Sequence, residues 1–85
     1  MALTVINTSD SSVRVYNQSK YYCIRGTRLA DIGRLNDALT NFNKAIETNP
    51  QNHIAYFNRA TIKVDIGDFI GAKEDFERFD SIVRR

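Results

Sequence analysis

The side chains most often used in catalysis and metal binding are sparse in this sequence. His53 is the only histidine and Cys23 is the only cysteine among the 85 residues. No short, fixed spacing of Cys, His or carboxylate residues suggests a metal site, and no glycine-rich phosphate loop is present. His53 follows Pro50 in a predicted turn, where a solvated position or a helix N-terminus explains it, and Cys23 suits a small packing residue. We therefore predict no enzymatic activity, no metal and no cofactor.

Basic residues cluster in the first part of the chain and acidic residues towards its end. The 12 basic and 10 acidic residues give a net charge of +2, which is too small to indicate nucleic acid or a membrane surface. The uneven distribution favours plain solvation or end-to-end charge complementarity. RNA-backbone binding is the weaker alternative, because no aromatic platform or recognised nucleic-acid motif accompanies the basic residues. The basic cluster contains Arg14, Lys20, Arg25, Arg28 and Arg34, and the acidic one contains Asp65, Asp68, Glu74, Asp75, Glu77 and Asp80.

The composition indicates a globular chain in a reducing compartment. Apolar residues make up 42% of the sequence, which is typical of a folded domain. A single cysteine cannot form an internal disulfide. No apolar run is long enough to span a membrane, and residues 1–7 lack the basic start and long apolar run of a secretory signal. We expect a cytoplasmic protein without membrane insertion.

Apolar residues recur at the spacing of one helix face in four successive segments, beginning near Lys20. Gly33 and Gly67 end the first and third segments, and Asn49 and Pro50 end the second, as expected for residues that stop a helix. We predict an all-α fold of four helices, joined by connections short enough to make neighbours antiparallel. The four apolar faces contain Tyr22, Leu29 and Ile32; Leu35, Ala38, Leu39, Phe42, Ala45 and Ile46; Tyr56, Phe57, Ala60, Val64 and Ile66; and Phe69, Ala72, Phe76, Phe79, Ile82 and Val83.

The first eighteen residues differ from the rest. Residues 7–12 form a polar, turn-prone stretch, and the β-favouring segments 4–6 and 13–16 lie on either side of it. Three interpretations are open: a disordered tail, a short β-hairpin, or an early start of the first helix with a serine as its N-cap. Because termini are often poorly ordered, we predict a flexible or irregular arm over residues 1–18.

The sequence repeats itself with a period of 34 residues and without a gap. Aromatic, charged, turn and small residues all return at this one period. The repeated pairs are Tyr22 and Tyr56, Arg25 and Arg59, Thr27 and Thr61, Asp31-Ile32-Gly33 and Asp65-Ile66-Gly67, Ala38 and Ala72, and Phe42 and Phe76.

This period and its order of large, small and turn residues resemble the tetratricopeptide repeat family of 34-residue helix–turn–helix units. The resemblance implies two hairpins, over residues 19–52 and 53–85, stacked as a short right-handed solenoid. It also implies close helix approach at Gly26 and Ala60. The second unit departs from the family pattern at Lys63, Phe79 and Arg84.

The resemblance further implies that the first helix of each hairpin lines a concave face. We interpret this face as a groove for an extended peptide or a helix of another protein; a polar, solvated face without a ligand is the alternative. Asn58 stands where many members keep an Asn that hydrogen-bonds the ligand backbone. Phe57 favours binding, because an apolar ring on a polar face is typical of an anchor. The predicted groove residues are Lys20, Cys23, Thr27, Asp31, Ile54, Phe57, Asn58, Thr61 and Asp65.

The end of the second unit predicts another contact surface. About three repeat units are usually needed for a stable stack, and this sequence contains two. Its last helix therefore leaves an apolar face that a second copy, the N-terminal arm or a different protein would cover. We expect self-association as the alternative to groove binding, in a two-fold dimer. The predicted self-association face consists of Phe76, Phe79, Ile82 and Val83.

Overall fold

A computed structural model of the chain describes residues 11–85. It contains α1 (Ser11–Asp31), α2 (Leu35–Thr48), α3 (His53–Asp65) and α4 (Phe69–Val83), and no strand occurs within this range. Helix α1 pairs with α2, α3 pairs with α4, and the two hairpins meet where α3 packs on α2 and α1. The predicted all-α fold of helical hairpins is confirmed.

Both hairpins turn on a glycine in the left-handed region. The φ angle is +83° at Gly33 and +86° at Gly67. The amide of Arg34 donates to the carbonyl of Leu29, and each glycine amide donates to a carbonyl three residues earlier, which is the C-terminal motif that a glycine permits. The residues around Gly67 make the same set of hydrogen bonds at the end of α3. Both predicted helix ends are confirmed.

Helix α1 begins earlier than the sequence suggested. Of the arm predicted over residues 1–18, residues 11–18 form the first two turns of α1, as the third interpretation allowed, and residues 1–10 lie outside the described part of the chain. No proline or glycine interrupts the chain between Ser11 and Gly26, so the helix can extend beyond its packed region. Tyr16 is 57% exposed on these first turns.

The core lies where α1, α2 and α3 approach most closely. Phe42 is its largest fully buried side chain, at 1% exposure. A Cβ atom added to Gly26 would lie 2.7 Å from the Phe42 ring, so glycine is required for α1 and α2 to come this close. Ala38 and Ala45 of α2 and Ala60 of α3 are fully buried, as close helix packing requires. These contacts match the small and large positions of the predicted repeat.

A buried polar junction connects the two hairpins. The Ser19 hydroxyl donates to the carbonyl of Ala45 at 2.6 Å and accepts from the Asn52 side-chain amide at 2.8 Å. The side-chain Oδ1 of Asn52 also accepts from the backbone amide of Ala55, which caps the N-terminus of α3. One asparagine thus fixes where α3 begins and how α3 is placed against α1.

Candidate protein-binding surfaces

The predicted groove follows α1 and α3, which lie side by side. The Asn58 side-chain amide of α3 donates to the Thr27 hydroxyl of α1 at 3.3 Å and approaches the Cys23 sulfur at 4.0 Å. Three predicted groove residues therefore meet between the two helices. Because the Asn58 amide already contacts α1, a ligand would have to share this donor or displace Thr27.

A pocket of about 310 Å³ opens at the end of the groove nearest the loop between the hairpins. Three predicted groove residues line it: Lys20, Cys23 and Ile54. Ile54 is 53% exposed, and the pocket surface is largely apolar, with a few polar groups among its lining residues. This combination suits an apolar side chain of a ligand. The remaining lining residues are Tyr16, Ile24, Asn49, Gln51, Asn52 and His53.

Cys23 forms part of the pocket floor but presents little surface. It is 6% exposed and belongs to the same core cluster as Phe42 and Ala45. Burial raises the pKa of the Cys23 thiol, and the contact with Asn58 only partly offsets this increase. Cys23 therefore remains a neutral packing residue, because nucleophilic cysteines require a lowered pKa.

The other predicted groove residues lie further along the same two helices. The Thr61 hydroxyl donates to the carbonyl of Asn58 in its own helix at 2.7 Å. Asp31 and Asp65 are exposed at the last residues of α1 and α3. The groove thus has a basic side chain, Lys20, near one end and two carboxylates at the other.

Phe57 lies at the boundary between the groove and α4. Its ring centroid is 5.3 Å from that of Phe76 and 5.1 Å from that of Phe79, both on α4. The His53 ring also contacts Phe79, at 5.8 Å. Phe57 is 43% exposed, but its ring contacts belong to the predicted self-association face. Replacing Phe57 would therefore disturb both surfaces at once.

The apolar end of the second hairpin, which we call the end face, consists of Phe57, Val64, Phe69, Phe76 and Phe79. Each of these residues lies 34 positions after a residue of the first hairpin, and all five of those counterparts belong to or pack against the core cluster. Phe69 remains 66% exposed, and Phe76 and Phe79 are half-buried. Within residues 11–85, no helix packs on this surface. The counterparts are Cys23, Ala30, Leu35, Phe42 and Ala45.

The rest of the predicted self-association face continues along α4. Ile82 is half-buried and Val83 is 48% exposed, one turn beyond Phe79. A shallow depression of about 550 Å³ covers α4 beside Val64 and includes Phe69, Phe76 and Phe79. Lys73, Glu77 and Asp80 lie at its edge. The apolar surface is thus bordered by charges of both signs.

A buried ion-pair network holds α3 against α4. Arg59 donates two hydrogen bonds to the Asp75 carboxylate, at 2.8 and 2.7 Å, and the Lys63 ammonium lies 3.0 Å from the same carboxylate. Burial alone raises the pKa of Asp75, but hydrogen bonds from Arg59 and Lys63 outweigh this effect and hold the pKa below its ordinary value. Lys63, which departed from the family pattern, is the second cation of this network.

The sequence interpretation missed two sets of residues. Tyr16 was assigned to the arm and His53 to a turn, yet both line the pocket, because α1 extends further and α3 begins at His53. Asp75 was counted within an acidic, solvated cluster, although it is buried. The sequence contains one sign of this pairing. Charged residues, Asp75 and Lys63, stand where the first unit has the uncharged Asn41 and Leu29.

The described part of the chain offers no group of three or more His, Cys, Asp or Glu side chains that could hold a metal ion. No helix among residues 11–85 combines the length and apolar character needed to cross a bilayer.

Comparison with known proteins agrees with this architecture. The family model described as TPR repeat matches residues 26–67. A TPR repeat-containing protein of Methanocaldococcus jannaschii is 33% identical over 69 residues, covering 81% of this chain. Tetratricopeptide repeat protein 36 of Mus musculus is 43% identical over 60 residues, covering 71% of this chain, and DnaJ homolog subfamily C member 3 of Rattus norvegicus is 40% identical over 53 residues, covering 62%.

These alignments cover only part of each relative. They span 12% of the archaeal protein, 32% of the mouse protein and 10% of the rat protein. No solved structure matches the chain.

Proposed function

Because the chain belongs to the tetratricopeptide repeat family, we propose that it is a non-catalytic adaptor or scaffold that binds a peptide or helix of a partner protein in the groove between α1 and α3. Members of this family are generally protein–protein interaction modules. The observation that supports the proposal most strongly is the apolar pocket at one end of the groove, where Ile54 is half exposed beside Lys20. A cytoplasmic location stays a prediction from the single cysteine.

The chemistry of the groove indicates which ligand it would take. Ile54 and Ile24 offer apolar surface to one buried side chain of the ligand, and Lys20 at the rim favours an acidic residue next to it. At the other end, Asp31 and Asp65 favour a basic residue. We therefore expect a segment with an apolar anchor, an acidic neighbour and a basic residue further along the chain.

Selection from a random-peptide library against the immobilised 85-residue protein tests groove binding. Selected peptides should carry this pattern, and Ile54→Glu should weaken their binding at least about tenfold, because it places a carboxylate in the apolar pocket. The matched control is Ile70→Glu on α4, since Ile70 is 79% exposed and lies outside the pocket. Peptides that bind both variants equally well, or a selection without enriched peptides, would contradict the proposal.

A second proposed function is self-association through α4, making the protein an assembly subunit. It is supported by the exposed end face, whose counterparts in the first hairpin are covered by packing. Large exposed apolar patches commonly mark interaction surfaces. Under this proposal Phe69→Glu should reduce the sedimentation coefficient to that of a monomer while circular dichroism stays helical. If the wild-type chain is a monomer at high micromolar concentration, self-association is excluded.

A further inference from the structure

We propose that the partner covering the end face is a second copy of this chain, bound so that the two α4 helices lie antiparallel across a two-fold axis. This inference rests on the second proposed function and adds the geometry of the contact. Apart from Phe57 at their boundary, the end face and the groove consist of different residues, and the apolar pocket lies outside the end face, so a peptide in that pocket and a second copy on α4 could bind together.

The first support is the spacing of apolar residues along α4. Residues 69, 72, 76, 79 and 83 are apolar and follow each other at alternating intervals of three and four. This spacing produces an apolar seam along one side of a helix, as in paired helices. Ala72 is buried within the hairpin, whereas Phe69 and Val83 near the two ends of the seam remain exposed. A partner helix that followed the seam would cover both.

The second support is charge complementarity along one flank of the seam. Lys73 and Asp80 are seven residues apart, about two turns or 10 Å along the helix, and both are exposed at the edge of the depression. In an antiparallel pair the same flank of each helix meets itself. A two-fold axis beside Phe76 and Glu77 places Lys73 of each copy next to Asp80 of the other. The contact therefore contains two equivalent opposite-charge pairs.

A parallel pair of α4 helices is excluded by the fold. In a parallel pair, the flank that carries Lys73 would have to meet the opposite flank of the partner helix. That opposite flank holds Asp75, which is buried against α3 by Arg59 and Lys63. Arg78 lies on the same side, over the Tyr56 ring of α3. Only the flank with Lys73 and Asp80 is free to form ion pairs with the α4 helix of a second copy.

A head-to-tail stack that continues the repeat is also disfavoured. Within the chain, α3 presents Ala55 and Ile62 to the first hairpin, and both are buried there. Their counterparts 34 residues earlier on α1 are Tyr21 and Arg28, which are larger or charged. The receiving surface has changed as well, since Phe79 stands in place of Ala45. Two enlarged surfaces cannot pack in the original register.

The remaining charge in this contact is Glu77, which lies close to the proposed axis. Glu77 of one copy would approach Glu77 of the other, and Lys73 lies one turn away on the same helix. Because like charges that approach each other weaken association, Glu77→Gln should lower the dimer dissociation constant modestly, by about twofold.

Charge exchange on the 85-residue chain tests the antiparallel arrangement. Lys73→Glu and Asp80→Lys should each raise the dimer dissociation constant about tenfold or more, because each creates two like-charge contacts per dimer. A 1:1 mixture of the two variants should regain dimerisation. In the mixed dimer, the carboxylate introduced at position 73 of one copy meets the ammonium group introduced at position 80 of the other, and the native pair forms at the second contact. The double variant should regain dimerisation as well.

Sedimentation velocity is the readout, with circular dichroism to show that each variant is folded. Glu74→Lys is the matched control for Asp80→Lys, because it makes the same change in charge on the exposed side of α4 away from the seam. The antiparallel arrangement would be overturned if the single variants had the same dimer dissociation constant as wild type. It would also be overturned if a mixture of the two single variants did not regain dimerisation. A monomeric wild-type chain would overturn self-association itself and leave groove binding unaffected.

Discussion

The two hairpins carry the same repeat pattern, but residues at equivalent positions are buried to different extents. Phe42 in the first hairpin is 1% exposed, whereas Phe76 at the same position in the second is half-buried. Cys23 is 6% exposed and its counterpart Phe57 is 43% exposed. The difference arises because α3 packs on the first hairpin, while no further helix within residues 11–85 packs on the second. Identical positions in a repeat can therefore be core in one unit and interaction surface in the next.

The two hairpins also differ in how their helices are joined. In the first, Leu29 packs against the core cluster and Asn41 hydrogen-bonds only within its own helix, to the carbonyl of Asp37. In the second, the counterparts Lys63 and Asp75 form a buried network with Arg59. A hairpin that has only one covered side buries less apolar surface, and the network supplies directional contacts between α3 and α4 instead.

The largest expected contrast is between the two aromatic positions. Phe42→Ala should lower the free energy of unfolding by about 4 kcal/mol, because it empties the centre of the core. Phe76→Ala should lower it by about 2 kcal/mol or less, since the ring is half-buried. Urea unfolding followed by circular dichroism measures both. Equal losses would break the distinction between covered and uncovered hairpins.

The next largest effect concerns the ion-pair network. Asp75→Asn should lower the free energy of unfolding by about 3 kcal/mol, because it leaves the partly buried cations of Arg59 and Lys63 without their anion. The double variant Asp75→Asn with Lys63→Leu copies the first hairpin and should recover part of this loss. If urea unfolding shows the double variant to be no more stable than Asp75→Asn, the helix contacts of the first hairpin cannot replace the ion-pair network of the second.

The same network predicts a pH dependence. The pKa of Asp75 is lower in the folded chain than in the unfolded one, so its contribution is fully present above the unfolded value of about 4 and is lost as the pH falls through the folded value. Between about pH 5 and pH 3, wild type should lose stability more steeply than Asp75→Asn. Parallel stability curves for the two proteins would show that Asp75 is not held ionised by Arg59 and Lys63.

A smaller effect is expected at the close helix contact of the first hairpin. Gly26→Ala should cost about 2 kcal/mol, because the added methyl group would lie 2.7 Å from the Phe42 ring. The second hairpin already holds Ala60 at this position, fully buried. In a double-mutant cycle, Phe42→Leu should reduce the cost of Gly26→Ala. Additive losses in thermal unfolding would place the strain elsewhere.

The smallest effect should be the same in both hairpins. Gly33→Ala and Gly67→Ala should each cost about 1 kcal/mol, because both glycines have positive φ and open space around the Cα atom. Thermal unfolding of the two variants should differ by less than the error of the measurement. A clear difference would mean that the two turns are not equivalent.

The sequence predicted the parts of the structure that depend on local pattern and period. Gly33 and Gly67 end helices as expected, because a positive φ is a local requirement that the residue type reveals. Helices α1 and α2 approach closely at Gly26, as the resemblance implied, and the residue that Gly26 meets there is Phe42. The start of α1 was harder to predict, since residues 12–18 are exposed and residues 13–16 carry β-favouring side chains.

Contacts between helices could not be read in the same way. Asp75 resembles a solvated residue in a helical pattern, and only the arrangement of α3 against α4 places Arg59 and Lys63 around it. Phe57 was assigned to the groove from its helix face, but the orientation of its ring depends on Phe76 and Phe79 of another helix. Lys20 and Ile54, which were predicted for the groove, line the same pocket as Tyr16 and His53, which were not.

The most direct test compares the labelling of two equivalent positions by a thiol reagent. Cys23 in the native chain is covered by the second hairpin, and a cysteine introduced by Phe57→Cys in a Cys23→Ala background would lie on the end face. At low protein concentration, position 57 should react at least about tenfold faster than Cys23, which must wait for local opening. Equal labelling rates at positions 23 and 57 in folded protein would contradict the claim that the second hairpin exposes what the first one buries.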